Sequence, residues 1–252
     1  MPGRIALIVE YDGKQYHGSQ YQDNALTVQA ELELALEKIS GEKTRIAVAS
    51  RTDAGVHAQG QVVSFMSNSS FSMETWVNGL NFYLSPDIAI KAAYRVGDDF
   101  NVRRDAWSRE YRYCILNRPS RSPLRRRSTY LVPQALDIEA MNHASEVLIG
   151  ERDFAPFSGL TGGGTYRRVF RAEFRKKDDL VIFDIEANSF LPHQVRNTVG
   201  GLVRVGLGKM EVGAFRTLAQ SGQPGAIGPA APAQGLCLMK VNYENFPPYS
   251  CS

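Results

Sequence analysis

The sequence predicts an α+β fold made of two halves with the same plan. Two observations carry this reading. Short runs of alternating or β-branched apolar residues, such as Tyr111-Arg112-Tyr113-Cys114-Ile115-Leu116, are interleaved with segments whose apolar residues recur at helical spacing. That order of elements occurs twice, on either side of a basic, proline-containing seam at 118–127. The duplication lies in element order alone, since no stretch of sequence repeats.

In the first half, Ile5 to Tyr11 reads as a buried strand. Thr27 is placed to cap a helix whose apolar side is Val28, Leu32, Ala35, Leu36 and Ile39, and Gly41 stops it. Residues 45–50 and 61–66 are strand-like. Ser72 caps a second helix, 73–84, with Trp76, Val77, Leu80 and Tyr83 on its apolar side and Ser85-Pro86 at its end. Strand patterns follow at 88–95 and 108–116.

The second half opens with a helix at 137–149, carried by Ile138, Met141, Ala144, Val147 and Leu148. Residues 169–174 and 180–185, joined by Arg175-Lys176-Lys177-Asp178-Asp179, read as a hairpin. Helices are expected at 193–207, after Pro192, and at 213–220, with a closing strand at 235–243. The expected division is 1–117, a basic linker at 118–130, and 131–252.

A chain of 252 residues can bury a substantial core, and 43% hydrophobic with 22% charged residues is the balance of a globular protein rather than a disordered one. The net charge is only +3, so any surface for a polyanion has to come from local clustering. No apolar run approaches the roughly 18 residues of a membrane span. The N-terminus runs straight into a strand pattern, without the layout of a signal peptide. Cys114, Cys237 and Cys251 are odd in number, widely spaced and without a CxxC pair, which fits a reducing cytoplasm. There is no phosphate-binding GK[ST] loop, dinucleotide fingerprint or zinc-ligand spacing, so no motif points to a cofactor or metal.

The most informative stretch is Ala49-Ser50-Arg51-Thr52-Asp53-Ala54-Gly55-Val56-His57-Ala58, a polar loop leaving one strand for another. An aspartate before Ala-Gly is ordinarily a turn residue, bonding the backbone two positions on. Three features favour a chemical role. A strand fixes where the loop starts, Arg51 offers the carboxylate a cation, and the loop holds more polar chemistry than a connection requires. An ionised, arginine-paired aspartate is a poor general acid at neutral pH. It suits a nucleophile, or a stabiliser of positive charge at a sugar carbon. The second carboxylate of a glycoside hydrolase is not evident, Glu110 being nearest in character.

These residues resemble the signature of the tRNA pseudouridine synthase A (TruA) family, in which Arg-Thr-Asp-Ala-Gly-Val-His-Ala surrounds the catalytic aspartate. Further similarity runs through EYDGKQYHGSQYQ near the start, FNVRRDAWSREYRYCI in the middle, ANSFLPHQVRNTVGGLVRVGLGK in the second half and PAQGLCLMKVNY at the end. Ser50 stands where the family commonly has glycine, Gln194 where it commonly has methionine, and Ser158 to Tyr166 departs furthest from the pattern.

The resemblance implies two ferredoxin-like halves forming one continuous, mainly antiparallel sheet, with helices on one side and a central RNA-binding cleft. It implies a homodimer that converts uridine to pseudouridine at positions 38–40 of the tRNA anticodon stem-loop. Asp53 is then the nucleophile. Tyr111 is the active-site tyrosine, stacking on the uracil with its phenol near the C5 proton. Arg196 pairs with Asp53, and Arg51 helps extrude the base and fills the space it leaves. Phe100, Asn101, Val102, Arg103 and Arg104 lie against the RNA. His57 and His193 are read as structural hydrogen-bonding residues.

Arginine is bunched at Arg103-Arg104, at the five arginines between 118 and 127, and at Arg167, Arg168 and Arg171, with a further basic run at Arg175-Lys176-Lys177. Such runs are usually solvated faces. Guanidinium forks also suit phosphate oxygens and make RNA affinity fall with salt. Gly162-Gly163-Gly164 reads as a flexible linker, with a backbone phosphate cradle as the alternative. Two rival functions stand beside the synthase. A non-catalytic RNA-binding module would carry an RNP1-type aromatic platform, which is not found, and a nucleoside glycosidase would have no use for the arginine clusters.

Overall fold

The computed structural model describes residues 3–160 and 164–247. The chain divides into two units, Met1–Arg109 with Leu238–Ser252, and Glu110–Cys237. This partition differs from a break at 117: the closing strand returns to the first unit, and the basic segment 118–130 lies inside the second.

The first unit holds β1 (Gly3–Tyr11), α1 (Val28–Ser40), β2 (Ala47–Val48), β3 (His57–Ser67), α2 (Met73–Tyr83) and β4 (Ile88–Val96). Two long strands belong to both units by their residues, β5 (Ala106–Asn117) and, at the end of the chain, β10 (Leu236–Tyr243). The second unit adds β6 (Tyr130–Val132), α3 (Ile138–Ser145), β7 (Gly150–Asp153), β8 (Tyr166–Lys177), β9 (Leu180–Ala187), α4 (Gln194–Gly206) and α5 (Val212–Ala219). Hydrogen-bonded neighbours run β4-β1-β3 in the first unit, with β2 on β3, and β9-β8-β7 in the second, with β6 on β5. Pairing is antiparallel along β1–β3, β1–β4, β2–β3, β7–β8 and β8–β9, and parallel for β5–β6. The fold is the α+β, mainly antiparallel one that the sequence predicts.

Local chemistry explains the element ends. Thr27 accepts a hydrogen bond from the Ala30 N–H at 3.2 Å, and Gly41 closes α1 at φ +74°, in the left-handed region that favours glycine. Val28, Leu32, Ala35 and Leu36 of α1 are buried as their spacing predicts, while Ile39 is half-buried. Ser72 caps α2 by accepting from the Thr75 N–H at 3.0 Å. Trp76 and Leu80 are fully buried there, and Tyr83 stays exposed. Consecutive burial of Ile5, Ala6 and Leu7 shows that β1 is covered on both faces. In the second unit the core is aromatic, with Phe154, Phe157, Phe183 and Phe215 fully buried.

Three spans depart from the sequence reading. β3 begins at His57 rather than 61, because Tyr11 of β1 pairs with Ala58 beyond an irregularity after Val9 and draws the polar residues into the ladder. The run at 45–50 yields only the two residues of β2. β6 and β7 were not expected, being too short for periodicity to reveal.

The basic segment is tied down within its unit. Arg118 and Arg125 pair with the two oxygens of Asp179, at 3.0 and 2.6 Å, and the Asn117 N–H donates to the Asp179 carbonyl at 2.8 Å. The hydrogen bond from Arg125, followed by the charges of both arginines, holds the Asp179 carboxyl below its usual range.

Candidate active site

The loop that carries Asp53 is held by its backbone. At Ser50, the N–H donates to Gln61 Oε1 at 3.2 Å and the carbonyl accepts from Gln61 Nε2 at 2.6 Å. At Thr52, the N–H donates to Ser19 Oγ at 2.8 Å and the carbonyl accepts from the Ser19 N–H at 3.0 Å. The Thr52 hydroxyl meets Tyr11 OH at 2.8 Å, and Gln61 Nε2 reaches the same phenol at 3.3 Å. Gln61 and Ser19 are buried, 1% and 2% exposed, so these bonds form away from competing water.

The segment before Ser19 packs backbone to backbone against the loop. Gly55 N–H donates to the Tyr16 carbonyl at 3.3 Å. A Cβ at Gly13 would come within 1.9 Å of the Val56 carbonyl oxygen, so only glycine fits there. Gly18, at φ +98°, needs the same freedom. His57 joins this packing, its Nδ1 accepting from the Gly13 N–H at 3.2 Å and lying 3.1 Å from Asp12 Oδ1.

Asp53 itself is half-buried, and its carbonyl accepts from the Val56 N–H at 3.1 Å, with Gly55 at φ +78°. The turn role that its local sequence suggests is therefore filled by its backbone. Among the described residues Arg51 makes no ion pair or hydrogen bond with Asp53, contrary to the expectation from sequence. The Arg51 side chain is instead exposed and lines an open pocket of about 190 Å³ with Arg103, Gln20 and Gln29, beside β2.

The stretch 100–104 sorts into anchors and outward groups. Phe100 packs with Tyr243 and Phe246, at centroid distances of 5.4 and 5.2 Å. Val102 is fully buried and its carbonyl accepts from Tyr243 OH at 2.7 Å, so it holds the loop rather than offering a surface to RNA. Asn101 Oδ1 accepts from the N–H groups of Arg103 and Arg104, at 3.1 and 3.0 Å. Arg104 is paired with Asp105 at 2.8 Å. Arg103 is exposed, and its guanidinium has no acidic partner among the described residues.

Tyr111 and Arg196 belong to the second unit. Tyr111 is buried in β5, with the edge of its ring against Phe190 at 5.2 Å and 85°. Arg196 is half-buried on α4; its Nε donates to the Ala231 carbonyl at 2.9 Å, and its own carbonyl accepts from the Ala231 N–H at 2.9 Å. His193 sits just before α4 at φ 60° and its carbonyl accepts from the Asn197 N–H, a backbone capping role. Gln194 is fully buried, with Oε1 accepting from the Leu191 N–H at 2.8 Å and Nε2 without a hydrogen-bond partner among the described residues. Gly162 and Gly163 lie outside the described residues, as does Cys251.

Sequence reasoning passed over Arg109. This arginine is only 6% exposed, and it donates to the carbonyls of Ala49, Arg103 and Ala106. A charged residue at a strand position that alternation assigns to the interior was the available signal. Gln61 and Ser19 gave none, because a single polar residue says nothing of the loop it meets.

A family model for tRNA pseudouridine synthase matches residues 7–105 and 144–244. The chain belongs to this family. The matched stretches contain Asp53, Arg51, Phe100 to Arg104 and Arg196, while Tyr111 falls between them. The chain is 44% identical over 245 residues to the tRNA pseudouridine synthase A of Roseiflexus castenholzii, spanning 95% of this chain and 90% of that one. The protein of the same description from Geotalea daltonii is 43% identical, over 95% and 99% of the two chains. That of Myxococcus xanthus is 41% identical, over 97% and 94%. No helix among the described residues is long and apolar enough to cross a membrane.

Proposed function

We propose that this protein is an isomerase that converts uridine to pseudouridine in the anticodon stem-loop of tRNA, at positions 38–40, with Asp53 as nucleophile. The observation that carries the reading is the Asp53 loop. A carboxylate lies in the stretch shared with the synthase family, on a loop fixed by backbone hydrogen bonds at Ser50 and Thr52. A carboxylate held this way has the preorganisation that attack on a sugar carbon demands.

The reaction balances without an outside reagent. The N1–C1′ bond of the uridine breaks, the uracil turns, C5 bonds to C1′, and the C5 proton is lost while N1 gains one. Asp53 supplies the anion at C1′, or takes the C2′ proton in the alternative route. We assign Tyr111 to stacking on the turning uracil and to the C5 proton, and Arg196 to the cation that accompanies the carboxylate. Arg51 is assigned to the extruded base, and Arg103 to phosphate. An exposed guanidinium without an acidic partner is equipped for that last role. The working form in this reading is a cytoplasmic homodimer, with one tRNA touching both subunits.

The test is tritium release from tRNA transcribed with uridine labelled at C5. The native chain releases label from an intact polymer, and Asp53→Asn, folded as judged by circular dichroism, releases none. A hydrolase would liberate free base, and a binding module would release nothing. Undiminished release by Asp53→Asn would remove the nucleophile from the reading.

A further inference from the structure

The loop bonds are arranged in a pattern that the catalytic assignment does not use. Ser50 and Thr52 each have both backbone polar groups occupied, Ser50 by the carboxamide of Gln61 and Thr52 by the hydroxyl and N–H of Ser19. Between them stands Arg51, whose side chain is exposed and makes no hydrogen bond or ion pair among the described residues. Gln61 is oriented without ambiguity. Its Oε1 faces the N–H groups of Ser50 and Val62, and its Nε2 faces the Ser50 carbonyl and Tyr11 OH. Turning the amide over would set donors against donors.

We propose that Gln61 and Ser19 are positioning residues for the isomerisation, acting through Arg51. They clamp the backbone on either side of it, so that a long, mobile side chain starts from a fixed peptide. This rests on the proposed reaction and on the role given there to Arg51. Extruding a base requires a group that arrives in register with the vacated space, and a displacement of about 1 Å at such a group costs about a hundredfold in rate. A general anchoring of the fold would not need both polar groups of both neighbours to be met, three of the four by side chains, from two separate segments. Ser19 lies in the segment after β1, and Gln61 lies in β3.

The experiment compares Gln61→Met, which keeps length and loses both hydrogen-bonding ends, with Ser19→Ala, which removes one hydroxyl. Each is made alone and in an Arg51→Ala background. Single-turnover rate and tRNA dissociation constant are measured well below each variant's melting temperature. Alone, each substitution is expected to leave tRNA affinity within about twofold and to slow the single-turnover rate by about a hundredfold. In the Arg51→Ala background the same substitution adds less than about threefold, because residues acting through one group are not additive. If Gln61→Met does not fold, Ser19→Ala decides the matter alone. Unchanged rates, equal losses in both backgrounds, or a fully active Arg51→Ala protein would each overturn the proposal. Asp53→Asn, assayed in parallel, separates the two readings: an active Asp53→Asn protein defeats the proposed reaction, whereas an inactive one beside fully active Gln61 and Ser19 variants defeats only this inference.

Discussion

Arg109 holds Arg103 by its backbone: the guanidinium of the buried arginine donates to the carbonyl of the exposed one at 2.8 Å. The same guanidinium donates to Ala106 at 2.9 Å and to Ala49 at 3.3 Å. One side chain thus connects the basic loop with the residue that leads into the Asp53 loop. Replacing it by methionine leaves three carbonyls short of a donor, each at a cost of about 1–3 kcal/mol where water cannot reach. Arg109→Met is expected to lower stability by about 3 kcal/mol or more in urea denaturation. Arg109→Lys, with fewer donors and no fork, is expected to fall between the two.

The two neighbouring arginines of that loop are expected to behave differently toward RNA. Arg104 already has Asp105 as its partner, while the Arg103 guanidinium has no acid beside it among the described residues. Neutralising a phosphate releases a counterion, so each contact adds about 0.7–0.9 to the slope of log affinity against log salt. Arg103→Ala is expected to make the slope shallower by close to that amount, and Arg104→Ala by clearly less. Filter binding of tRNA at several salt concentrations measures both, and equal effects would mean that the pairing with Asp105 opens on binding.

Much of this was legible beforehand, for reasons that differ by residue. Thr27, Gly41 and Ser72 mark helix ends because capping is a local reaction between a side chain and the backbone within three or four residues. The family was legible because a long motif surrounds Asp53 and Arg51. The true length of β3 was not, since it depends on Tyr11 pairing with Ala58 across 47 positions of chain. The clamp on Ser50 and Thr52 was hidden for the same reason: Gln61 and Ser19 are 11 and 33 positions away from the groups they meet. The misplaced Arg51–Asp53 pair shows the converse error. Closeness in sequence suggested an ion pair, whereas the Arg51 side chain lines the pocket it shares with Arg103.

Tyr111 offers a test of the phenol apart from the ring. Its ring meets Phe190 edge-on, and phenylalanine preserves that contact and the burial. Tyr111→Phe is therefore expected to keep stability within about 1.5 kcal/mol, the usual span for one hydrogen bond. It is expected to keep tRNA affinity and to slow single-turnover isomerisation. A rate equal to that of the native chain would take the hydroxyl out of the chemistry and leave Tyr111 as a stacking platform.

Asp184 sets how the second unit responds to acid. Its side chain is 4% exposed on β9, bonded to Arg112 at 2.7 Å and also to Arg175. Burial alone would raise its carboxyl, but the hydrogen bonds and charges of Arg112 and Arg175 outweigh that and hold it below the usual carboxylate range. A depressed value in the folded state means that the unfolded chain binds the proton more readily. The stabilisation is then complete above the unfolded value of about 3.9 and disappears as pH falls through the folded one. Asp184→Asn is expected to cost about 3 kcal/mol near neutral pH, the low end for breaking a buried pair, because both arginines reach solvent. Below pH 4 the gap between the variant and the native chain should close. Denaturation midpoints across pH 2–7 decide it, and a gap that stays constant would mean that packing rather than charge is what Asp184 contributes.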